Sequence, residues 1–467
     1  MPIIKTEMER VRNLQSMDFS LPETKREILN LLESLCGIIL AQQQEIQELK
    51  DEINRMKGEK GKPKFTAKGK GTGEEGKPKM PNRELKEPWV KSSKKGKVRI
   101  DRVEIVKIDP GSLPSDAVFK GYEEKLVQNI FLKTDNVLYK LEKYYSSSEK
   151  KTYTAKPDES VRGTEFGPET KALVSSLYYE NRVTENKIAS FLNSNGLSIS
   201  EGTVSNMLTD DPGGELTEIK QGVFEAGLSG GTYQQIDDTS MNMSGEKGFV
   251  TIVCNEKYSA FFINRRKNRE TVQSFLTKPL ADLFEVLVGD DAPQFKKIAK
   301  RFALCWVHEE RHYKKMNPVF LSHHEELERV RREIWDYYDK LKAYKENPTE
   351  EGKSELWGNF DVLFGQVTEY EALNDRLKLT LKKKDELLVV LDHPDVPLHN
   401  NLSENGVREM VLKRKISGGV KSEKGRKGWE NNMTILATCK KLGLSFFEFM
   451  TGIFSKRNTI DLPSMVR

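Results

Sequence analysis

Apolar residues along this chain recur with three different periods, and each period predicts a different kind of element. Over residues 20–56 they follow a heptad, with Leu32, Ile39, Ile46 and Ile53 at one position and Ile28, Leu35, Leu49 and Met56 at the other. Gln42 is a single polar interruption. Ser20-Leu21-Pro22-Glu23 supplies a cap, an early proline and an acid that can answer the cap, so a long helix starts there. Ile at one core position and Leu at the other predicts a two-stranded coiled coil. Residues 57–97 are almost devoid of apolar side chains and rich in Lys, Gly and Pro, which predicts a basic, disordered linker.

Period two appears next. Val103-Glu104-Ile105-Val106-Lys107-Ile108, the run around Ile130 and the run Val137–Leu141 predict strands of a small β-rich domain at 98–165. The period turns helical over 166–215, with stripes at Ala172/Leu173/Leu177/Tyr178, Ile188/Phe191/Leu192 and Val204/Met207/Leu208. Gly196 in the connection ahead of Ser200 suits a helix-turn-helix-like DNA-binding unit, whose third helix would offer Thr203, Ser205 and Asn206 to a groove. Across 225–450 strands are expected near 231–237, 248–254, 258–264, 285–290 and 302–307, with helices near 269–284 and 292–300. A long helical tract, about 309–392, follows. Strands and helices in this order predict a layered α/β domain with a mixed sheet and a helical insertion, so the whole reads as multidomain α/β plus α.

Charge changes this picture in two places. The net charge is only +5, yet residues 57–97 hold 14 Lys and Arg against 5 Asp and Glu, and residues 413–427 hold 7 against 1. Concentrated cations on an otherwise acidic chain point to a polyanion, most simply double-stranded DNA. Arg408, Lys413, Arg414, Lys415, Lys421, Lys424, Arg426 and Lys427 are candidate contacts, as are Arg265, Arg266, Lys267 and Arg269 after the third expected strand. The four cysteines, Cys36, Cys254, Cys305 and Cys439, form no Cys-x-x-Cys pair, which argues against a disulfide framework or zinc ribbon. No apolar run reaches the roughly 20 residues of a membrane span, so a cytoplasmic, DNA-associated protein is expected.

Three acids carry the chemistry. Asp237 ends one strand-like run, Asp290 ends another, and Glu404 opens a helix-like stretch after Asn400-Asn401. Two strand-end aspartates and a helical glutamate can converge on two divalent cations, the arrangement that phosphodiester chemistry needs. All-oxygen ligands suit Mg²⁺ or Mn²⁺. Asp238 and Asp291 are immediate neighbours, and alternation allows only one of each pair to face the site. No nucleophilic side chain and no organic cofactor is required.

The segments Ile236-Asp237-Asp238-Thr239, Leu287-Val288-Gly289-Asp290-Asp291, Cys305-Trp306-Val307-His308 and Asn400–Arg408 resemble the transposase family typed on insertion sequence 66, a branch of the ribonuclease H-like DDE transposases. The resemblance covers about residues 166–450. It implies a catalytic triad at Asp237, Asp290 and Glu404, two Mg²⁺ or Mn²⁺ ions, site support from Cys305 and His308, an N-terminal coiled coil that makes at least a homodimer, and element-encoded accessory proteins as possible partners. The implied activity is cleavage of DNA at the ends of a mobile element and transfer of the 3′ hydroxyl to target DNA. A nuclease that only hydrolyses would use the same acids but would need neither the basic arms nor the coiled coil, and intact acids at all three positions argue against a non-catalytic DNA-binding regulator. Residues 98–165 lack the cysteines of the zinc-binding module found in many members, and Asn405 stands where Arg commonly follows the glutamate.

Overall fold

The computed structural model of the chain describes residues 21–56, 99–130, 132–275 and 285–467. The expected basic linker at 57–97 and residues 276–284 of the helix expected over 269–284 lie outside these residues.

A single helix, α1 (Pro22–Met56), occupies the heptad segment. Its first half does not stand alone. Thr24, Asn30, Leu31 and Glu33 are buried, and Asn30 donates from Nδ2 to the Glu369 carbonyl at 2.9 Å while its Oδ1 accepts from the Glu371 amide at 2.9 Å. Glu33 accepts from the amides of Val319 and Phe320 and pairs with buried His323 at 3.3 Å. Leu32, Ile39, Ile46 and Leu49 remain exposed. Asn30 and Glu33 thus serve orphan amides at two helix starts in the insertion, so this half of the expected coiled-coil helix also packs on its own chain.

The chain divides into two compact units, Gln47–Lys133 and the remainder. In the smaller unit the described residues after α1 carry only a 3₁₀ turn at Pro110–Ser112. The strands expected at 103–108, 128–133 and 137–141 are not formed among the described residues; Val103, Ile105, Val106, Leu138 and Tyr139 are exposed. Within 98–165 the pairing found is one antiparallel hairpin, β1 (Lys143–Ser146) with β2 (Lys151–Thr154). Alternation makes a strand only where a neighbour takes its hydrogen bonds and a core takes its apolar face.

Helices α2 (Pro168–Ser175), α3 (Glu185–Ser194) and α4 (Glu201–Thr209) follow, with a π-helical turn at Ser176–Glu180. Ser200 caps α4 by accepting from the Thr203 amide at 3.1 Å, as its position before the stripe suggests. Next come α5 (Glu215–Ser229) and a five-stranded mixed sheet: β3 (Tyr233–Met243), β4 (Glu246–Cys254), β5 (Ser259–Asn264), then after α6 (Arg269–Ser274), β6 (Val286–Gly289) and β7 (Arg301–Leu304). The spatial order is β5-β4-β3-β6-β7, with β3, β4 and β5 antiparallel and β3, β6 and β7 parallel. The expected helix at 292–300 is only a 3₁₀ turn, Pro293–Phe295, because Lys297 adopts a left-handed φ of 63° that a right-handed helix cannot continue.

Both faces of the sheet are covered. Leu287 of β6 joins the main core, whereas its neighbours Val286 and Val288 pack with Val389 and Val396 on the opposite face. The insertion leaves the sheet at α7 (Trp306–Lys314) and continues through α8 (Leu321–Glu346), α9 (Glu350–Gly365), α10 (Glu371–Leu381) and the short α11 (Lys384–Leu387) around its own core of Trp306, Leu327, Val330, Ile334, Tyr337, Phe360 and Phe364. The Trp306 amide donates to the Leu398 carbonyl at 3.0 Å and its indole Nε1 to Leu387 at 2.9 Å, so departure and return are tied together.

Helices α12 (Asn401–Ser417), α13 (Glu423–Lys441), α14 (Phe446–Phe454) and α15 (Leu462–Val466) close the fold. Edge strand β5 is sealed by α13: the amides of Ile263 and Phe261 donate to Glu430 at 2.7 Å and Thr434 at 3.1 Å, and Ser259 approaches Thr438 at 3.5 Å. Alternate strand amides thus meet side chains four residues apart on one helix face, which explains why polar residues of α13 are buried.

Candidate active site

Asp237 sits within β3, opposite Ile252 of β4. On its other side β3 runs parallel to β6 with Gln235 opposite Val288, and two residues farther along both chains lie Asp237 and Asp290. The parallel register therefore brings the two aspartates to one end of the sheet. Glu404 arrives on α12, which lies against β3 and β4. A Cβ at Gly406 would overlap Ile252, the cross-strand neighbour of Asp237, so glycine there permits the close seating of the helix that bears the glutamate.

The two pairs of adjacent acids differ in their partners. Asp238 is held by Lys267 at 2.5 Å and accepts from Gln294 Nε2 at 2.8 Å. Asp291 is held by Lys296 at 2.5 Å and Lys383 at 2.6 Å. Burial raises the Asp291 carboxyl, but the two lysines outweigh it and leave its pKa below the ordinary value. Asp237 and Asp290 meet no described Lys or Arg in an ion pair. Asp237 accepts from the Asp238 amide at 2.7 Å, and Asp290 from the Ala292 amide at 3.3 Å. Burial, with Asp290, Asp238 and Glu404 nearby, pushes Asp237 up to about 7. Burial also raises Asp290, with Asp238 adding to it.

Glu404 is different. Its carboxylate receives Arg311 at 3.2 Å and 3.5 Å, and His308 Nε2 lies 3.2 Å away. Burial and the neighbouring Arg311 lower the His308 pKa, opposed by Glu404 and Asp290. Behind it, His308 Nδ1 and both polar atoms of the fully buried Asn400 side chain make no hydrogen bond. Cys305 is buried at the N-cap of α7, its thiol pushed up by desolvation, and its amide donates to the Gly289 carbonyl at 3.0 Å beside Asp290.

The donor set of Asp237, Asp290 and Glu404 is all-oxygen, and Asp237 is raised first by burial and then by the acids beside it. That chemistry fits Mg²⁺ or Mn²⁺. Among the described residues no group of three or more His, Cys, Asp or Glu side chains is gathered closely enough to hold a metal ion.

The expected DNA contacts divide. Arg408, Lys415, Lys421, Lys424, Lys427, Arg266 and Asn206 are exposed. Lys413 is not a surface cation: it is 1% exposed, donates to the Tyr178 carbonyl at 2.9 Å and lies 3.3 Å from the Tyr178 ring centre, with Tyr179 and Trp429 within 4.9 Å. Arg426 is clamped by Glu423 and Glu430, one helical turn to either side of it on α13. Arg265 pairs with Glu246, Arg269 reaches the Pro293 carbonyl at 3.4 Å, and Arg414 reaches Thr239 and Ser240. Thr203 is tied into the Ser200 cap, and Ser205 is half-buried. The sequence reading missed Arg311, Gln294, Lys296, Lys383 and Asn400; only Arg311 left a signal, standing one helical turn after His308.

Residues 163–428, more than half of the chain, match the model of the transposase IS66 family. The chain belongs to the IS66 transposase family. It is also similar to the uncharacterized protein y4jO of Sinorhizobium fredii (strain NBRC 101917 / NGR234), 42% identical over 165 residues that make up 35% of this chain and 51% of that protein. The match thus spans about half of that relative's length. The family match covers the helix-turn-helix-like helices, the sheet, the insertion and α12. Among the described residues no helix is long and apolar enough to cross a membrane.

Proposed function

We propose that this IS66-family chain is a DNA transposase that cuts at the ends of its element and joins the freed 3′ hydroxyl to target DNA at one site built from Asp237, Asp290 and Glu404. The observation that carries the reading is that Asp237 and Asp290 both lie two residues beyond the last parallel pair of β3 and β6, neither in an ion pair with a described Lys or Arg, with the helix that brings Glu404 packed against β3. Counting the five strands from the first, the order 3-2-1-4-5 supports a ribonuclease H-like catalytic domain. Asp237, Asp290 and Glu404 would hold two Mg²⁺ or Mn²⁺ ions, which when bound activate the attacking oxygen and stabilise the leaving one. Lys267 and the pair Lys296/Lys383 neutralise Asp238 and Asp291, so the charge that a cation must match is confined to the inward-facing acids. Exposed Arg408, Lys415, Lys421, Lys424 and Lys427 hold the DNA backbone beside α12. The uncovered residues Leu32, Ile39, Ile46 and Leu49 of α1 meet a second copy as a coiled coil, which would hold two element ends together.

An oligonucleotide duplex with a recessed 3′ end tests the reading. Joining of that end to a second duplex in Mg²⁺ is the expected result. Cutting without joining would make the protein a hydrolytic nuclease, and neither activity would make it a DNA-binding regulator.

A further inference from the structure

Glu404 alone among the three inward-facing acids is met by a fixed positive charge, and the group that meets it belongs to no other acid. Arg311 projects from α7, the helix that starts where β7 ends beside Asp290, and donates to both oxygens of Glu404 at 3.2 Å and 3.5 Å. Its Nη1 also lies 2.8 Å from His308 Nε2. With Arg311 donating to it, that nitrogen has no hydrogen left for Glu404, so the carboxylate is balanced by the guanidinium rather than by the ring. Among the described residues Arg311 pairs with no further carboxylate. Its side chain is 43% exposed, in contrast to Lys383, which is 17% exposed and locked between Asp291 and Glu309.

We infer that Arg311 is a gate on the cation site: it occupies Glu404 when no cation is bound, and once displaced it is free to grip a DNA phosphate at the reacting strand. The inference rests on the reading of Asp237, Asp290 and Glu404 as the cation site. Two physical points lead to it. A guanidinium keeps its proton throughout the accessible pH range, so it cannot leave by neutralising itself and must be competed off Glu404. Its planar fork matches phosphate as well as carboxylate, so a phosphate is a ready alternative partner at the same place. The site therefore fills in a fixed order of charges. A cation arriving without DNA has to displace Arg311 into water, whereas one arriving with DNA finds Arg311 already offered a phosphate, so cation and DNA should bind cooperatively.

The test uses the full-length protein and Mn²⁺ followed by electron paramagnetic resonance, first without DNA. Arg311→Gln is expected to bind Mn²⁺ about tenfold more tightly than the wild type, because the competing charge is gone. Arg311→Ala should behave the same way, and it replaces the first variant if that one does not fold. With duplex DNA added in non-catalytic Ca²⁺, the variant should show a log–log salt slope shallower by about 0.9, the equivalent of one neutralised phosphate. A merely structural arginine would lower Mn²⁺ affinity or leave it alone, and either outcome overturns the gate. Asp237→Asn separates the two claims: it should abolish Mn²⁺ binding. If neither the wild type nor Arg311→Gln binds Mn²⁺, or if Asp237→Asn matches a wild type that does bind it, the cation site itself falls and the gate with it.

Discussion

At the residue scale, Asp238 has Lys267 and Gln294 while its neighbour Asp237 is buried among other acids, so the two carboxyls respond oppositely to removal. The folded state holds a proton on Asp237 up to about 7, whereas the unfolded chain releases it near the ordinary 3.8. Stability from this group is therefore present below about pH 4 and lost as pH rises through about 7. Asp237→Asn should raise the urea-unfolding free energy of the metal-free protein at pH 8 by on the order of 1–3 kcal/mol, with little effect at pH 4. Lys413 gives the second residue-scale expectation. Burial pushes it down to about 6, so between about 6 and 10.5 the unfolded state binds the extra proton and stability rises with pH. Lys413→Met should remove that slope, fold within about 1 kcal/mol of the wild type and bind DNA normally. Lys413→Ala should lose about 2–4 kcal/mol through the cavity it leaves between Tyr178 and Trp429. Denaturant titrations at three pH values check both. Residue type and the strand end before Asp290 were legible in the sequence, but Asp237, expected to end its strand, lies inside β3 because β4 goes on pairing with it as far as Met243. Which member of each adjacent pair meets a lysine was not legible, since Lys267, Lys296 and Lys383 are brought in from other segments.

At the element scale, the strands of the sheet were legible wherever a partner strand and a covering helix existed, as at β3, β4 and β5. The same alternation at 103–108 gave no strand, because no neighbouring strand takes up its amides among the described residues. The seal on β5 could not be read at all: Glu430, Thr434 and Thr438 look like a solvated helix face until the edge strand is placed against them. Removing one rung tests that seal. Thr434→Val keeps the side-chain shape but leaves the buried Phe261 amide without an acceptor, at an expected cost of about 1–3 kcal/mol. Thermal melting would show it, and hydrogen exchange should localise the loss to β5. An exposed substitution such as Lys427→Ala should not move either reading.

At the scale of the whole molecule, charge and assembly belong together. The basic run at 413–427 looked like one DNA-binding segment, but the fold divides it: Lys413 and Arg426 serve the interior of the domain, while Lys415, Lys421, Lys424 and Lys427 face solvent around the α12–α13 turn, where Gly418 closes α12 with a φ of 74°. Replacing those four lysines with Gln should weaken binding to every duplex alike and flatten the salt dependence, by up to about 0.9 in log–log slope for each phosphate that is no longer neutralised. Fluorescence anisotropy across a salt series would reveal it. Three carboxylates acting together on DNA are the centre of the proposed chemistry. The most direct measurement is joining of a recessed 3′ end in Mg²⁺ by Asp237→Asn, Asp290→Asn and Glu404→Gln, with Asp238→Asn and Asp291→Asn in parallel. Joining should vanish in the first three while duplex binding persists, and should survive, at reduced rate, in the last two. Joining that persists in Asp237→Asn, or that is lost in Asp238→Asn while Asp237→Asn keeps it, would contradict the assignment of the three acids.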